Sequence, residues 1–135
     1  MPKQHLPATV YLSGRLTSGW QDTVMTKIPE ITFIDPRSSG LNSPQLYTAW
    51  NLTSIDLADI LFAYMEMDNP SGYGIALEVG YARARGKRVI MVDERSPTDQ
   101  QFATYFATVR ASAHATFDSL DEAIGFLRSL VPERP

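Results

Sequence analysis

The sequence predicts one α/β domain, a doubly wound parallel sheet of five strands with helices on both faces. Short apolar runs rich in β-branched residues alternate five times with longer helical patterns, which is typical of such sheets. No internal repeat, low-complexity tract or interdomain linker interrupts the 135 residues. A chain of this length is large enough to bury its own core, so residues 1–135 are expected to form a single domain.

The first strand and helix are predicted near the amino-terminal end. Residues 8–14, ATVYLSG, form an apolar β-branched run that ends in a glycine turn. Residues 19–28 have a helical pattern, which ends before Pro29. Residues 31–35, ITFID, predict the second strand.

The middle of the chain supplies a loop, a helix and a buried strand. Residues 36–44 are rich in Pro, Ser, Gly and Asn, as loops are. Residues 43–58 predict a helix, because Ser43 suits an N-cap and Pro44 suits the first helical position. Residues 59–66, DILFAYME, are a nearly continuous apolar run, which indicates a strand buried on both faces.

The carboxyl-terminal half also alternates predicted helices and strands. Residues 72–85 predict a helix that a glycine ends, and residues 87–93 predict another buried strand. A Ser-Pro pair opens a helix predicted over 96–110. A weak strand over 113–117 and a helix over 119–131 follow, and the helix begins with the spacing of a capping box.

Doubly wound sheets bind ligands at the carboxyl ends of their strands, near the point where the strand order reverses. The residues that follow each predicted strand are therefore the candidate site. These segments are 13–20, 35–42, 66–74, 93–98 and 111–114.

Composition restricts the classes of function. The formal net charge of −3 disfavours nucleic acid or an anionic membrane surface as a partner. The chain has no cysteine, which excludes a disulfide framework, a thiolate nucleophile and a cysteine-ligated metal. No segment reaches the ~18 apolar residues of a membrane span, and the first residues lack the apolar run of a signal peptide. These features predict a cytoplasmic protein.

Glu78 is the one carboxylate in residues 72–92, GYGIALEVGYARARGKRVIMV. On a helix it shares its face with small and apolar residues such as Gly74 and Ile75, and no Lys or Arg lies three or four residues away. A carboxylate on such a surface is desolvated, which raises its pKa unless donors hydrogen-bond it. Glu78 is therefore either a residue that reaches solvent or caps a loop, or a nucleophile or proton-transfer group in a cleft.

The glycines around Glu78 favour the second alternative. Gly72, Gly74 and Gly80 lower helix propensity, a cost that a helix accepts where a backbone or a ligand must come close. Small residues also occupy the opposite face, which predicts a helix packed on both sides.

The segment 56–92 resembles the nucleoside 2-deoxyribosyltransferases and the related deoxynucleoside 5′-monophosphate N-glycosidases. The shared pattern begins with an acidic strand start at Asp59 and a loop. It continues with Gly-x-x-x-Glu-x-Gly-Tyr-Ala over 74–82, a Gly-Lys pair and a strand. Because VYLSG near the amino terminus also matches, the resemblance covers roughly residues 9–93.

The resemblance implies a flavodoxin-like fold and a double displacement at the anomeric carbon of a 2′-deoxynucleoside, with nucleosides and free bases as partners. Glu78 matches the family's nucleophile, which attacks C1′, expels the base and holds the sugar as a glycosyl ester. A second base then takes the sugar. Tyr11 matches a tyrosine on the first strand that orients the nucleophile.

The chain departs from the family at two acidic positions. The family's sugar-contacting aspartate, six residues before the nucleophile, corresponds to Gly72, and Asp68 or Ser71 is the available substitute. A second family aspartate, near the leaving base, corresponds to Asn51. An amide hydrogen-bonds a base but cannot act as a general acid.

The family resemblance also implies a partner subunit at the sugar site. The family's contact to the 5′-hydroxyl corresponds to residues 111–115, in which Ser112 or His114 is the candidate. Taken alone, His114 is more typical of a surface histidine. This match, together with the aromatic residues of the helix predicted over 96–110, predicts a homodimer or larger homo-oligomer.

The segment 13–20, SGRLTSGW, follows the first strand. Ser13, Gly14 and Arg15 open a loop whose hydroxyls and backbone N–H groups suit an anion, or Arg15 simply faces solvent. The residue order differs from the phosphate-binding loop of the monophosphate N-glycosidases, so a phosphate site is the less favoured interpretation. Trp20 is either a core side chain or a contact for the base, and its place after the loop favours the base.

Asp35 ends the second strand and Arg37 follows closely. The two residues either pair with each other, the favoured interpretation, or border the pocket. The sequence has no His, Asp and Glu spacing typical of a metal site and no Walker or Gly-x-Gly-x-x-Gly loop. Neither a metal nor a cofactor is expected.

Two classes of function remain. The favoured prediction is a nucleoside 2-deoxyribosyltransferase that exchanges the bases of free nucleosides. Hydrolysis of 2′-deoxynucleoside 5′-monophosphates is the alternative enzyme activity. The other class is a non-catalytic flavodoxin-like module that binds the phosphate of a flavin or nucleotide through residues 13–20.

Overall fold

The computed structural model describes residues 8–131 and has the predicted α/β architecture. Five parallel strands form one sheet in the order β2-β1-β3-β4-β5, which is the flavodoxin-like order. The strands are β1 Thr9–Gly14, β2 Thr32–Ile34, β3 Ile60–Met65, β4 Arg88–Asp93 and β5 Ala115–Phe117. The helices are α1 Trp20–Lys27, α2 Pro44–Leu57, α3 Tyr73–Ala84, α4 Gln100–Ala111 and α5 Leu120–Ser129.

Alternation along the strands divides the core into two layers. In β1, Val10 and Leu12 face the layer that contains α1 and α5, whereas Tyr11 faces the layer that contains α2, α3 and α4. The reason is that successive side chains of a strand point to opposite faces of the sheet. All of β3 and all of β4 except its first residue are buried, as their continuous apolar runs predict.

The strand order reverses between β1 and β3. After β1 the chain crosses to β2 at one edge of the sheet, and after β3 it continues to β4 in the opposite direction. The loops that follow β1 and β3 therefore diverge, which leaves a crevice at the carboxyl edge of the sheet.

One predicted helix start is wrong. The Ser-Pro pair opens a short 3-10 turn, Ser96–Thr98, and α4 begins after it. Asp99 caps α4 instead, because its Oδ1 accepts a hydrogen bond from the Phe102 N–H at 3.0 Å. A second 3-10 turn, Pro36–Ser39, lies in the predicted loop.

The other predicted elements begin and end within two residues of those in the structure. The capping box of α5 is present, since Ser119 Oγ accepts the Glu122 N–H at 3.2 Å. Within the described residues, no helix is long and apolar enough to cross a bilayer.

The prediction that α3 packs on both sides is wrong for the single chain. Tyr73 and Leu77 are 83% and 57% exposed, and apart from its chain neighbours and the nearby backbone of α3, no atom would lie within 4 Å of a Cβ added at Gly80. One face of α3 packs on the sheet through Ile75 and Val79, and the opposite face is open.

Gly72, which precedes α3, is a position that requires glycine. Its φ is +77°, and an added Cβ would lie 2.9 Å from Met65 Sδ. Gly72→Ala is expected to lower the free energy of unfolding by about 1–3 kcal/mol, because alanine is strained in the left-handed region. Chemical denaturation measures this change.

Gly80→Ala is the matched control. Gly80 lies inside α3 with free space around its Cα, so alanine should raise the free energy of unfolding by about 0.5–1 kcal/mol. A Gly72→Ala protein as stable as the wild type would contradict this account of the turn.

Candidate active site

A cavity of about 390 Å³ opens at the carboxyl edge of the sheet, where the strand order reverses. Loops after β1, β2 and β3, the first turns of α3 and one side chain each from β1 and α2 line it. The lining residues are Tyr11, Gly14, Arg15, Leu16, Pro36, Asn51, Asn69, Pro70, Ser71, Gly72, Gly74, Ile75 and Glu78.

Glu78 lies half-buried at this cavity, and three donors hold its carboxylate. Tyr11 Oη donates to Oε2 at 3.0 Å, and Ser13 Oγ donates to Oε1 at 2.7 Å. Asn51 Nδ2 donates to Oε2 at 3.2 Å. Both carboxylate oxygens are therefore fixed by neutral groups from β1 and α2.

The local folding of β1 and α3 explains this arrangement. Tyr11 and Ser13 are two residues apart in β1, so their side chains point to the same face of the sheet. Tyr11 belongs to the core layer that also contains α3. Glu78 is the sixth residue of α3, one and a half turns from its start, and it faces the strand rather than solvent.

Burial changes the acidity of the two central groups. Desolvation raises the pKa of Glu78, and hydrogen bonds from Ser13, Tyr11 and Asn51 partly oppose that rise. Burial, followed by the nearby charge of Glu78, raises the pKa of the Tyr11 phenol far above its usual range. Tyr11 therefore remains a neutral donor, and Glu78 is a more basic carboxylate than a solvated glutamate.

Arg15 lies at the cavity and is paired with two carboxylates. Its Nη2 is 2.6 Å from Asp68 Oδ1, and its Nε is 3.4 Å from Glu66 Oε2. The hydrogen bond from Arg15 lowers the pKa of the Asp68 carboxyl, so Asp68 stays ionised at neutral pH. Asp68 does not line the cavity. It affects the site through its contact with Arg15.

The position of Trp20 corrects the expectation of an indole in the cavity. Trp20 is 4% exposed and packs against Phe62 and Tyr64 in the layer of α1 and α5. Its Nε1 donates to the Arg15 carbonyl at 2.9 Å. A Cβ added at Gly14 would lie 2.8 Å from Trp20 Cζ2, so the indole supports the cavity floor from below.

Asp35 and Arg37 form the pair that the sequence favours. Arg37 Nη2 lies 2.7 Å from Asp35 Oδ2, and Arg37 also contacts Asp22 at 2.8 Å. Asp35 is beside the cavity without lining it, whereas the neighbouring Pro36 does line it.

Ser112 and His114 lie away from the cavity of their own chain. They follow α4 and precede β5, which β4 and β3 separate from β1. Ser112 Oγ donates to the Thr108 carbonyl at 2.9 Å, and His114 Nδ1 accepts the Val89 N–H at 3.0 Å. Their contact with the site of a neighbouring chain stays a prediction.

Several site residues lie in a candidate segment of the sequence, but no pattern distinguishes them individually. Asn69 and Pro70 line the cavity directly after β3, and Glu66 positions Arg15. All three lie in the segment 66–74, so their place after a strand was the available signal. Ser71 and Gly74, which the sequence did single out, line the cavity. Within residues 8–131, no three His, Asp or Glu side chains are grouped to hold a metal.

The fold is similar to that of solved enzymes named for nucleoside or nucleotide chemistry. A 2-deoxyribosyltransferase from Bacillus psychrosaccharolyticus superposes with a TM-score of 0.69 at 20% identity, covering 95% of this chain and 98% of that chain. A 2-deoxyribosyltransferase from Leishmania mexicana gives 0.68 at 17% identity, covering 92% and 99%. The CMP N-glycosidase BcmB from Clostridium botulinum gives 0.62 at 16% identity, covering 90% and 98%.

No protein-family model matches the chain, and the comparison with curated proteins gives no match. The structural similarity confirms the predicted resemblance at the level of the fold. The chain thus has the fold of the 2-deoxyribosyltransferases and of a related N-glycosidase.

Burial of Glu78 predicts a pH-dependent stability. Since the folded pKa of Glu78 is raised from its ordinary value of 4.5, the folded state loses stability as the pH rises above that value. Glu78→Gln removes this cost, so the variant should be more stable than the wild type by about 0.5–2 kcal/mol near pH 7. The difference in the free energy of unfolding between the two proteins should disappear when the pH is below the ordinary glutamate pKa of 4.5. Chemical denaturation across a pH series measures this difference.

Glu30→Gln, in the turn between α1 and β2, is the control for the loss of one negative charge. A Glu78→Gln advantage that does not grow from acidic to neutral pH would show that Glu78 is not desolvated.

Proposed function

We propose that this protein cleaves the N-glycosidic bond of nucleosides, with Glu78 as nucleophile, and transfers the 2-deoxyribosyl group between bases. The single observation that carries the proposal is the desolvated Glu78 carboxylate, held by three neutral donors at a cavity where such sheets bind ligands. The names of the solved enzymes with this fold support the same chemistry.

The reaction has two displacements at C1′. In the first, a Glu78 oxygen forms a bond to C1′ while the C1′–N bond breaks, and its electron pair leaves with the base. In the second, an acceptor base attacks C1′ and Glu78 leaves as a carboxylate, with net retention. Tyr11 and Ser13 orient the attacking carboxylate and stabilise it again when it leaves.

Charge at the cavity favours free nucleosides over their 5′-monophosphates. Among the lining residues that the structure describes, Arg15 is the one cation. Asp68 and Glu66 already neutralise it, so a phosphate dianion would meet an excess of negative charge. The same pairing disfavours the binding-module alternative, which needs a free cationic or N–H-rich anion site in this loop.

The proposal also covers the binding partners, the cellular compartment and the oligomeric state. Its partners are free nucleosides and purine or pyrimidine bases in the cytoplasm, with no part for nucleic acid or membrane. We extend it to a homo-oligomer, because Tyr73, Leu77 and Tyr105 expose large apolar side chains on α3 and α4.

The decisive comparison is between two donors of the same base. Deoxyadenosine with hypoxanthine should form deoxyinosine faster than deoxyadenosine 5′-monophosphate alone releases adenine, because only the second substrate brings a dianion to the cavity. Chromatography of initial rates measures both. Glu78→Ala should lose turnover by several orders of magnitude, since covalent catalysis has no second route.

Asp68→Asn is the informative second variant. It leaves Arg15 with one carboxylate partner instead of two, so the monophosphate should become a better substrate relative to the nucleoside. Faster release of base from the monophosphate by the wild type would show that the protein is a monophosphate N-glycosidase.

A further inference from the structure

Within residues 8–131 of a single chain, the cavity lacks a side chain suited to protonating a leaving base. Its titratable lining residues are Tyr11, Arg15 and Glu78. Glu78 is the nucleophile of the proposed function, and a guanidinium does not release its proton. Tyr11 already donates its proton to Glu78, and burial makes the phenol a weaker acid than usual.

Carboxylates beside the cavity are also unsuited to donate a proton. Asp68 and Glu66 both face Arg15, and the hydrogen bond from Arg15 lowers the pKa of the Asp68 carboxyl. Asp35 accepts hydrogen bonds from Arg37 on both of its oxygens. These groups are acceptors, so none is free to act as a general acid.

Asn51 presents an unpartnered acceptor beside the Glu78 carboxylate. Its Nδ2 donates to Glu78 at 3.2 Å, which fixes the amide because the opposite orientation would place two oxygens together. Its Oδ1 is buried and has no hydrogen-bond partner among the described residues. This partly negative oxygen therefore borders the reacting carboxylate.

The charges around the cavity also favour a positively charged ligand. Glu78, Glu66 and Asp68 supply three carboxylates, and Arg15 supplies one guanidinium. The surroundings of the reacting centre are therefore negative and rich in acceptors. Such surroundings attract a cation and do not assist a leaving anion.

Resting on the proposed function, we propose that the donor substrate is an N-glycoside with a positively charged base, such as a pyridinium or an N-alkylated purinium. The observations that carry this inference are the lack of a general acid among the described residues of one chain, the unpartnered Asn51 oxygen, and the excess of carboxylates at and directly beside the cavity.

A cationic base removes the need for a proton donor. When Glu78 bonds to C1′, the electron pair of the C1′–N bond moves onto the ring nitrogen and cancels its positive charge. The base leaves as a neutral molecule, and no proton is transferred. Water or an acceptor base then attacks C1′, Glu78 leaves as a carboxylate, and the attacking group gives its proton to solvent.

The test uses a pair of donors that differ by one methyl group, 7-methyl-2′-deoxyguanosine and 2′-deoxyguanosine. General acid catalysis is worth about 10²–10⁴-fold, so kcat/KM for the methylated donor should be higher by about 100-fold or more. Asn51→Asp supplies a carboxyl group at the same place. This variant should reduce the ratio of the two kcat/KM values by at least about tenfold, mainly by improving the neutral donor.

The ratio of the two kcat/KM values is measured within one protein, so differences in folding or active fraction between the wild type and the variant do not affect it. If Asn51→Asp does not fold, neutral donors with bases of graded acidity replace it, and kcat/KM should rise steeply with the acidity of the base. Wild-type rates for the two donors within about tenfold of each other would overturn the inference, as would a ratio unchanged by Asn51→Asp or a flat dependence on acidity. If neither donor reacts, the proposed function itself fails, and the inference fails with it.

Discussion

A desolvated carboxylate held by three neutral donors is the interaction on which the candidate site depends. An ionised group in such surroundings is costly unless it is hydrogen-bonded. Three donors contact Glu78, and hydrogen bonds to charged groups contribute about 1.5–3 kcal/mol each. No guanidinium or ammonium is among these partners, so the carboxylate keeps its basicity. An ion pair would instead lower its pKa and weaken it as a nucleophile.

The packing of the surrounding fold restricts the positions of the Tyr11 and Ser13 side chains. Tyr11 and Ser13 are fully buried polar residues in a central strand, where apolar side chains would otherwise be expected. Glycine allows the surrounding chain to come close, since Gly14 lies directly over Trp20 and Gly72 lies over Met65. The floor of the cavity therefore packs closely on core side chains, and its shape depends on that core.

Sequence patterns predict the strands and helices better than they predict the side-chain contacts in the candidate site. The strands follow from five apolar runs, whereas the flavodoxin-like sheet is implied by the family resemblance. Glu78 is recognisable because no cation lies near it on its helix. The pairing of Arg15 with Glu66 and Asp68 is not recognisable in the same way, because it joins residues 51 and 53 positions apart in the chain. The place of Trp20 after the loop favours a contact with the base, but the indole packs in the core, because strand alternation does not determine where a side chain beyond the strand packs.

The central claim is that Glu78 forms a covalent bond to the sugar. Mass spectrometry of the protein, quenched during turnover of a donor nucleoside and then digested, tests this claim most directly. The account predicts one deoxyribosyl group on the peptide that contains Glu78, absent from Glu78→Gln and lost when an acceptor base is added before the quench. Turnover with no adduct on this peptide, or an adduct on another residue, would contradict the account.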